Sequence, residues 1–220
     1  MSCDALIVAA FYPELAPLRD MLGDDAEEGL RGLLGEVDVA ARVVGIGLPA
    51  AAVGAAMSIA KTLPRAVVAI GTCGAYPGAG LSIGDVVVAT SVQLVDPSAV
   101  DGRSQFPGQM SLTSEPDPPM ALALERAGAR RARLATTVAI TVDDVTAARI
   151  AQATGAEAEH LEAHGVATAC AAHGVPFGAV FGVANSVGCN GRDEWRDHHL
   201  RAAAAAAHVV LRWLRGGALR

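Results

Sequence analysis

The chain is short of positive charge, of paired cysteines and of long apolar runs. Its 17 lysines and arginines are outnumbered by 23 aspartates and glutamates, for a formal net charge of −6. The cations form no dense basic run. The nearest approach is Arg126, Arg130, Arg131 and Arg133, around a predicted helix end where cations suit the last carbonyls, so a nucleic-acid surface is disfavoured. No stretch reaches the roughly 20 apolar residues that span a bilayer, and the alanines at 202–207 run straight into His208. Cys3, Cys73, Cys170 and Cys189 include no CxxC pair, and the N-terminus lacks the apolar core of a secretory signal. Both features predict a reducing compartment, the cytoplasm. His160, His164, His173, His198, His199 and His208 form no HExxH, so no metal site is expected. No third glycine follows Gly45-Ile46-Gly47 at the spacing of a dinucleotide fingerprint, so no cofactor is expected either.

What is present is apolar and evenly spread. Hydrophobic residues make up 52% of the 220 and charged residues 18%, which suits one globular domain over 1–220 with a full core. Ala5 to Ala10 reads as a central strand, and Pro13 as the first turn of a following helix. A hairpin is predicted over 29–46, a helix from Pro49 to Leu63, and strands at 66–70 and 85–95. The connection from Asp96 to Pro119 is long enough to predict function or mobility. Beyond it the pattern gives helices at 120–128, 144–153 and 161–173, and strands at 133–141 and 177–184. A closing helix at 194–214 would place Leu200, Ala203, Ala204, His208, Leu211 and Leu214 on one face. Alternating strands and helices indicate an α/β fold.

The most informative segment is Gly71-Thr72-Cys73-Gly74-Ala75-Tyr76, behind an apolar strand and ahead of Gly84-Asp85-Val86. It reads as a glycine-hinged loop that lets backbone amides approach a ligand at the end of a strand. With Pro13-Glu14-Leu15, Gly45-Ile46-Gly47, Leu161-Glu162-Ala163, Val183-Ala184-Asn185-Ser186-Val187-Gly188 and Arg192-Asp193, the chain resembles the nucleoside phosphorylase and nucleosidase superfamily. Within it the nearest branch is the futalosine hydrolases, and the likeness runs from Ala5 to Trp213. The resemblance implies a single-domain, three-layer αβα fold around a central twisted mixed sheet, a homo-oligomer, and hydrolysis of an N-glycosidic bond in a nucleoside.

That chemistry needs support for a cationic ribosyl group, an activated nucleophile and a partner for the departing purine. By resemblance Glu14 is the general base for water, although an acid in a first helical turn also suits the dipole. Glu162 would bind the ribose hydroxyls, with Leu161 in place of the methionine packed under the sugar. Asn185 stands where adenosine-directed relatives carry aspartate. A neutral amide can donate to a 6-oxo oxygen and accept from a protonated N7, which points to hypoxanthine as the base and futalosine as the nucleoside. Thr72, Cys73 and Gly74 would line the site, Val145 and Thr146 would run beside the purine, and Phe106 would lie over it as a lid. Ala69 replaces an arginine of the phosphorolytic members, which favours water over phosphate as nucleophile. His160 replaces a common glutamate, and Ser186 an arginine typical of the futalosine hydrolases. A phosphorylase, a methylthioadenosine/S-adenosylhomocysteine nucleosidase and a non-catalytic nucleoside-binding protein therefore remain as alternatives.

Overall fold

A computed structural model describes residues 2–25 and 29–217. In chain order the strands are β1 (Ala5–Ala9), β2 (Gly23–Asp25), β3 (Gly29–Leu34), β4 (Val37–Val43), β5 (Ala66–Ala75), β6 (Val86–Leu94), β7 (Thr113–Ser114), β8 (Arg130–Thr136), β9 (Ala158–His160) and β10 (Phe177–Ser186). The helices are α1 (Tyr12–Leu15), α2 (Leu48–Thr62), α3 (Pro97–Val100), α4 (Pro118–Arg126), α5 (Asp144–Thr154), α6 (Ala163–His173) and α7 (Gly191–Arg215), with a 3₁₀ turn at Ala16–Leu18 after α1.

All strands belong to one mixed sheet. β1 is buried along its whole length and lies parallel between β4 and β5, as an uninterrupted apolar run requires. From β4 the sheet continues through β3 to β2 in antiparallel fashion. On its other side the sheet closes: β5 bonds β9, β9 bonds β8, β8 bonds β6, β6 bonds β10, and β10 returns to β5. The short β7 adds to β6. The central sheet is thus a five-stranded ring with an arm of β1, β4, β3 and β2, and β5 belongs to both.

Side chains alternate across β1, and each face has its own core. Leu6 and Val8 join Ile59, Val166, Cys170 and Phe181 under α2 and α6. Ile7 joins Ile70, Leu124, Val210 and Leu214 under α4 and α7. Local signals fix the helix ends. α2 stops at Leu63, whose left-handed backbone (φ 40°) returns its N–H to Ile59, and Pro64 bars a further turn. Asp117 and Asp143 cap α4 and α5 through side-chain oxygens. Gly155 and Gly174 end α5 and α6 with positive φ.

Three expectations change. The segment from Gly71 to Ala75 is no loop but the second half of β5, because β10 and then β9 take up its backbone groups. The 96–119 connection contains α3 and β7, with α3 capped by Asp96. On α7 the buried face consists of Ala202, Ala203, Ala206, Val209, Val210, Trp213 and their neighbours; Leu200, 60% exposed, and His208 point to solvent. Small alanines are what let this helix lie against β10, where a Cβ at Gly182 would run into the Ala202 backbone.

Candidate active site

The carboxyl ends of β1, β5, β9 and β10 converge on a cleft of about 400 Å³, a size typical of small-molecule sites. It brings together Glu14, Thr72, Cys73, Gly74, Leu161, Glu162 and Asn185. Phe106, Val145 and Thr146 are not among its lining residues. Val145 and Thr146 sit in the first turn of α5, Val145 exposed and the Thr146 amide committed to the Asp143 cap. The wall expected of them is built a few residues earlier, by Ile140, Thr141 and Val142, because the chain leaves β8 at Thr136 and crosses the cleft before the helix begins.

Glu14 is 3% exposed and lies within α1, the single helical turn after β1. One carboxylate oxygen accepts the Ala10 N–H at 3.1 Å; the other accepts the Thr72 N–H at 3.1 Å and lies 3.4 Å from the Thr72 hydroxyl. Burial, and then the charge of Glu162, push its pKa up to about 8 against the pull of these amides. The carboxylate reaches this place because residue 71 is glycine: a Cβ there would stand 2.6 Å from Glu14 Oε1. The Trp195 indole N–H donates to the Thr72 hydroxyl at 3.1 Å, which leaves that hydroxyl's proton to face Glu14.

Glu162 is the residue from which α6 starts, and it is 6% exposed. Its Oε1 accepts the Gly47 N–H at 2.7 Å, so the Gly45–Gly47 turn serves as an anchor for this carboxylate. Asn185 owes its position to a bulge: Val183 pairs with Cys73 and Asn185 with Gly74, leaving Ala184 as the extra residue. Its amide donates one N–H to the Ser186 carbonyl at 2.8 Å; the other N–H and the oxygen have no partner among the described residues. Gly74 gives that amide room, since a Cβ there would stand 2.8 Å from Nδ2.

Sequence reasoning missed Trp195 and Glu159. Trp195, just past the first turn of α7, stacks on His199 with ring centroids 4.2 Å apart and closes one side of the cleft beside Phe11. Glu159 is buried on β9, where it accepts the Tyr76 hydroxyl at 2.7 Å and both the N–H and the hydroxyl of Thr141, pinning the crossing segment to the sheet. The Trp195–Thr72 hydrogen bond and the bonds to Glu159 join residues at least 18 apart, and no local motif marks them. Cys73 lines the cleft, but burial drives its thiol pKa far upward and leaves it unreactive at neutral pH. Arg192 is the one lysine or arginine among the described lining residues.

The family model described as the phosphorylase superfamily matches residues 5–215. The chain belongs to the phosphorylase superfamily. It is 34% identical over 131 residues to a futalosine hydrolase of Streptomyces coelicolor, covering 57% of this chain and 56% of that one. It is 35% identical over 99 residues to a 5'-methylthioadenosine/S-adenosylhomocysteine nucleosidase of Maridesulfovibrio salexigens, covering 42% of each. The chain thus spans about half the length of the curated relatives it matches. Among solved structures, futalosine hydrolase of Helicobacter pylori superposes with a TM-score of 0.87 at 17% identity, over 98% of this chain and 99% of that one, a likeness of fold. The α/β expectation, a central mixed sheet with helices around it, therefore holds for this superfamily member. No helix among the described residues is long and apolar enough to cross a membrane.

Proposed function

We propose that the chain hydrolyses the N-glycosidic bond of a purine nucleoside, with a 6-oxopurine nucleoside, futalosine, as its substrate. The observation that carries this reading is the meeting of two buried carboxylates, Glu14 and Glu162, with the uncharged Asn185 in one cleft. Water attacks the anomeric carbon as the bond to the purine nitrogen breaks, and the bonding pair leaves with the base. Glu14 accepts the water proton. A pKa of about 8 suits a base working near neutrality better than an ordinary carboxylate would. Glu162 accepts hydrogen bonds from the ribose hydroxyls and sets its charge against the cationic ribosyl group. The free N–H and carbonyl of Asn185 match the O6 and protonated N7 of departing hypoxanthine.

Water is preferred to phosphate because a dianion beside Glu14 and Glu162 would meet two carboxylates, with Arg192 as the sole lysine or arginine on the described cleft wall. The relatives named above favour a nucleosidase, and we propose for it the role in menaquinone synthesis that the resemblance to futalosine hydrolases implies. A second reading, a 6-aminopurine nucleosidase, is favoured by Ser186 and by the likeness to the methylthioadenosine nucleosidase. Four free cysteines suit the cytoplasm, and the exposed Ile46, Val53 and Met57 suit a homo-oligomer.

The deciding experiment measures free purine released from futalosine, inosine and methylthioadenosine, each with and without phosphate. Hypoxanthine from futalosine at a rate indifferent to phosphate is the expected result. Phosphate-dependent turnover, turnover of methylthioadenosine alone, or none at all would overturn it.

A further inference from the structure

We infer that His160 is a positioning residue for Glu162, holding the sugar-binding carboxylate in place through a single ring proton on Nε2. The inference rests on the nucleosidase reading above. His160 ends β9, is 7% exposed, and stacks on Phe181 with ring centroids 3.8 Å apart and planes 28° apart, so its ring plane is fixed. Its Nδ1 accepts two backbone hydrogen bonds at the start of α6, from the N–H of Glu162 and of Ala163, each at 3.1 Å. A nitrogen that receives two donors carries no proton, so the ring is neutral and its one proton sits on Nε2. A charged imidazolium would set an N–H against two others. Burial of the ring acts in the same direction by lowering its pKa.

Nε2 stands 3.3 Å from Glu162 Oε2, while Oε1 is held by the Gly47 N–H at 2.7 Å. Oε1 thus has a fixed hydrogen-bond donor and Oε2 has the ring N–H close by as an electrostatic contact, and each keeps lone pairs for a ribose hydroxyl. The arrangement has a chemical merit: a neutral donor orients Glu162 without cancelling the negative charge that a cationic ribosyl group needs. An ionised glutamate at 160 could offer no proton, and a lysine would neutralise the site. One side chain therefore does two jobs, satisfying two orphan amides at the α6 terminus with one nitrogen and steadying the carboxylate with the other.

Two variants separate these jobs, since an asparagine oxygen can stand in for Nδ1 and a glutamine N–H for Nε2. His160→Asn should keep the cap and the melting temperature yet lose about tenfold or more in kcat/KM for futalosine. His160→Gln should melt lower but keep kcat/KM within about threefold of wild type. Affinity for free hypoxanthine, which has no ribose, should be unchanged in both by calorimetry, and ¹⁵N spectra of the wild-type ring should place the proton on Nε2. A purely structural residue would behave otherwise. Asparagine would then pass for wild type, or hypoxanthine affinity would fall in step with kcat/KM, and either result overturns the inference. A proton on Nδ1 in an active wild type overturns this inference alone; a wild type that hydrolyses no nucleoside defeats the proposed function and this inference together.

Discussion

Glu14 is a carboxylate held far from its ordinary range, and its proton ties activity to stability. If its charged form is the base, wild-type kcat/KM should climb with pH to about 8 and then level off, which a pH–rate profile on futalosine checks. Stability moves the other way. Between the ordinary value of 4.5 and the native value of about 8, the folded protein keeps a proton that the unfolded chain has released. Folding free energy should therefore fall as pH rises through that window, by at most about 1.4 kcal/mol per pH unit. Glu14→Gln should lower kcat by about 100-fold or more, yet melt at or above wild type at pH 9 with a flatter dependence on pH. Asn185→Asp replaces a donor with a charge, and should swing the kcat/KM ratio from 6-oxo toward 6-amino nucleosides by about tenfold or more. Glu14, Glu162 and Asn185 were legible in sequence because each sits in a short run at a strand end or helix start. Trp195 and Glu159 were not, because their partners Thr72, Tyr76 and Thr141 are distant in the chain.

At the scale of elements, the site depends on two deviations from regular sheet. Gly71 lets β5 run past the Glu14 carboxylate, and the bulge at Ala184 re-aims Asn185. Gly71→Ala should displace that carboxylate, and a cost of about 10- to 100-fold in kcat/KM with little change in KM is expected from steady-state kinetics. α7 adds a third support. Glu194 accepts the Ser186 N–H at 2.7 Å while Trp195 reaches Thr72, so one helical turn grips the ends of both β10 and β5. The strands and helices themselves were readable from apolar runs and caps. Two things were not. The strand character of Gly71–Ala75 comes from ladders with β9 and β10, and the wall at Ile140–Val142 comes from where β8 stops, which periodicity does not record. The outward turn of Leu200 and His208 on α7 follows from Gly182, which draws the alanine side of the helix onto the sheet.

For the whole molecule, the sheet's two parts differ in how they end. The arm stops at β2, whose outer edge no other described strand pairs, while the ring has no edge between β5 and β10. That asymmetry has a kinetic consequence. Amide hydrogens on β2 and β3 can meet solvent by fraying one strand at a time, whereas those on β5, bonded variously to β1, β9 and β10, are released only when the whole domain opens. Deuterium uptake should therefore spread inward from β2 and arrive last at β5 and β10. The strands that hold Thr72 and Asn185 would then be the slowest-exchanging part of the protein, and a destabilising change in the arm could shorten its lifetime against proteases while leaving each surviving molecule fully competent.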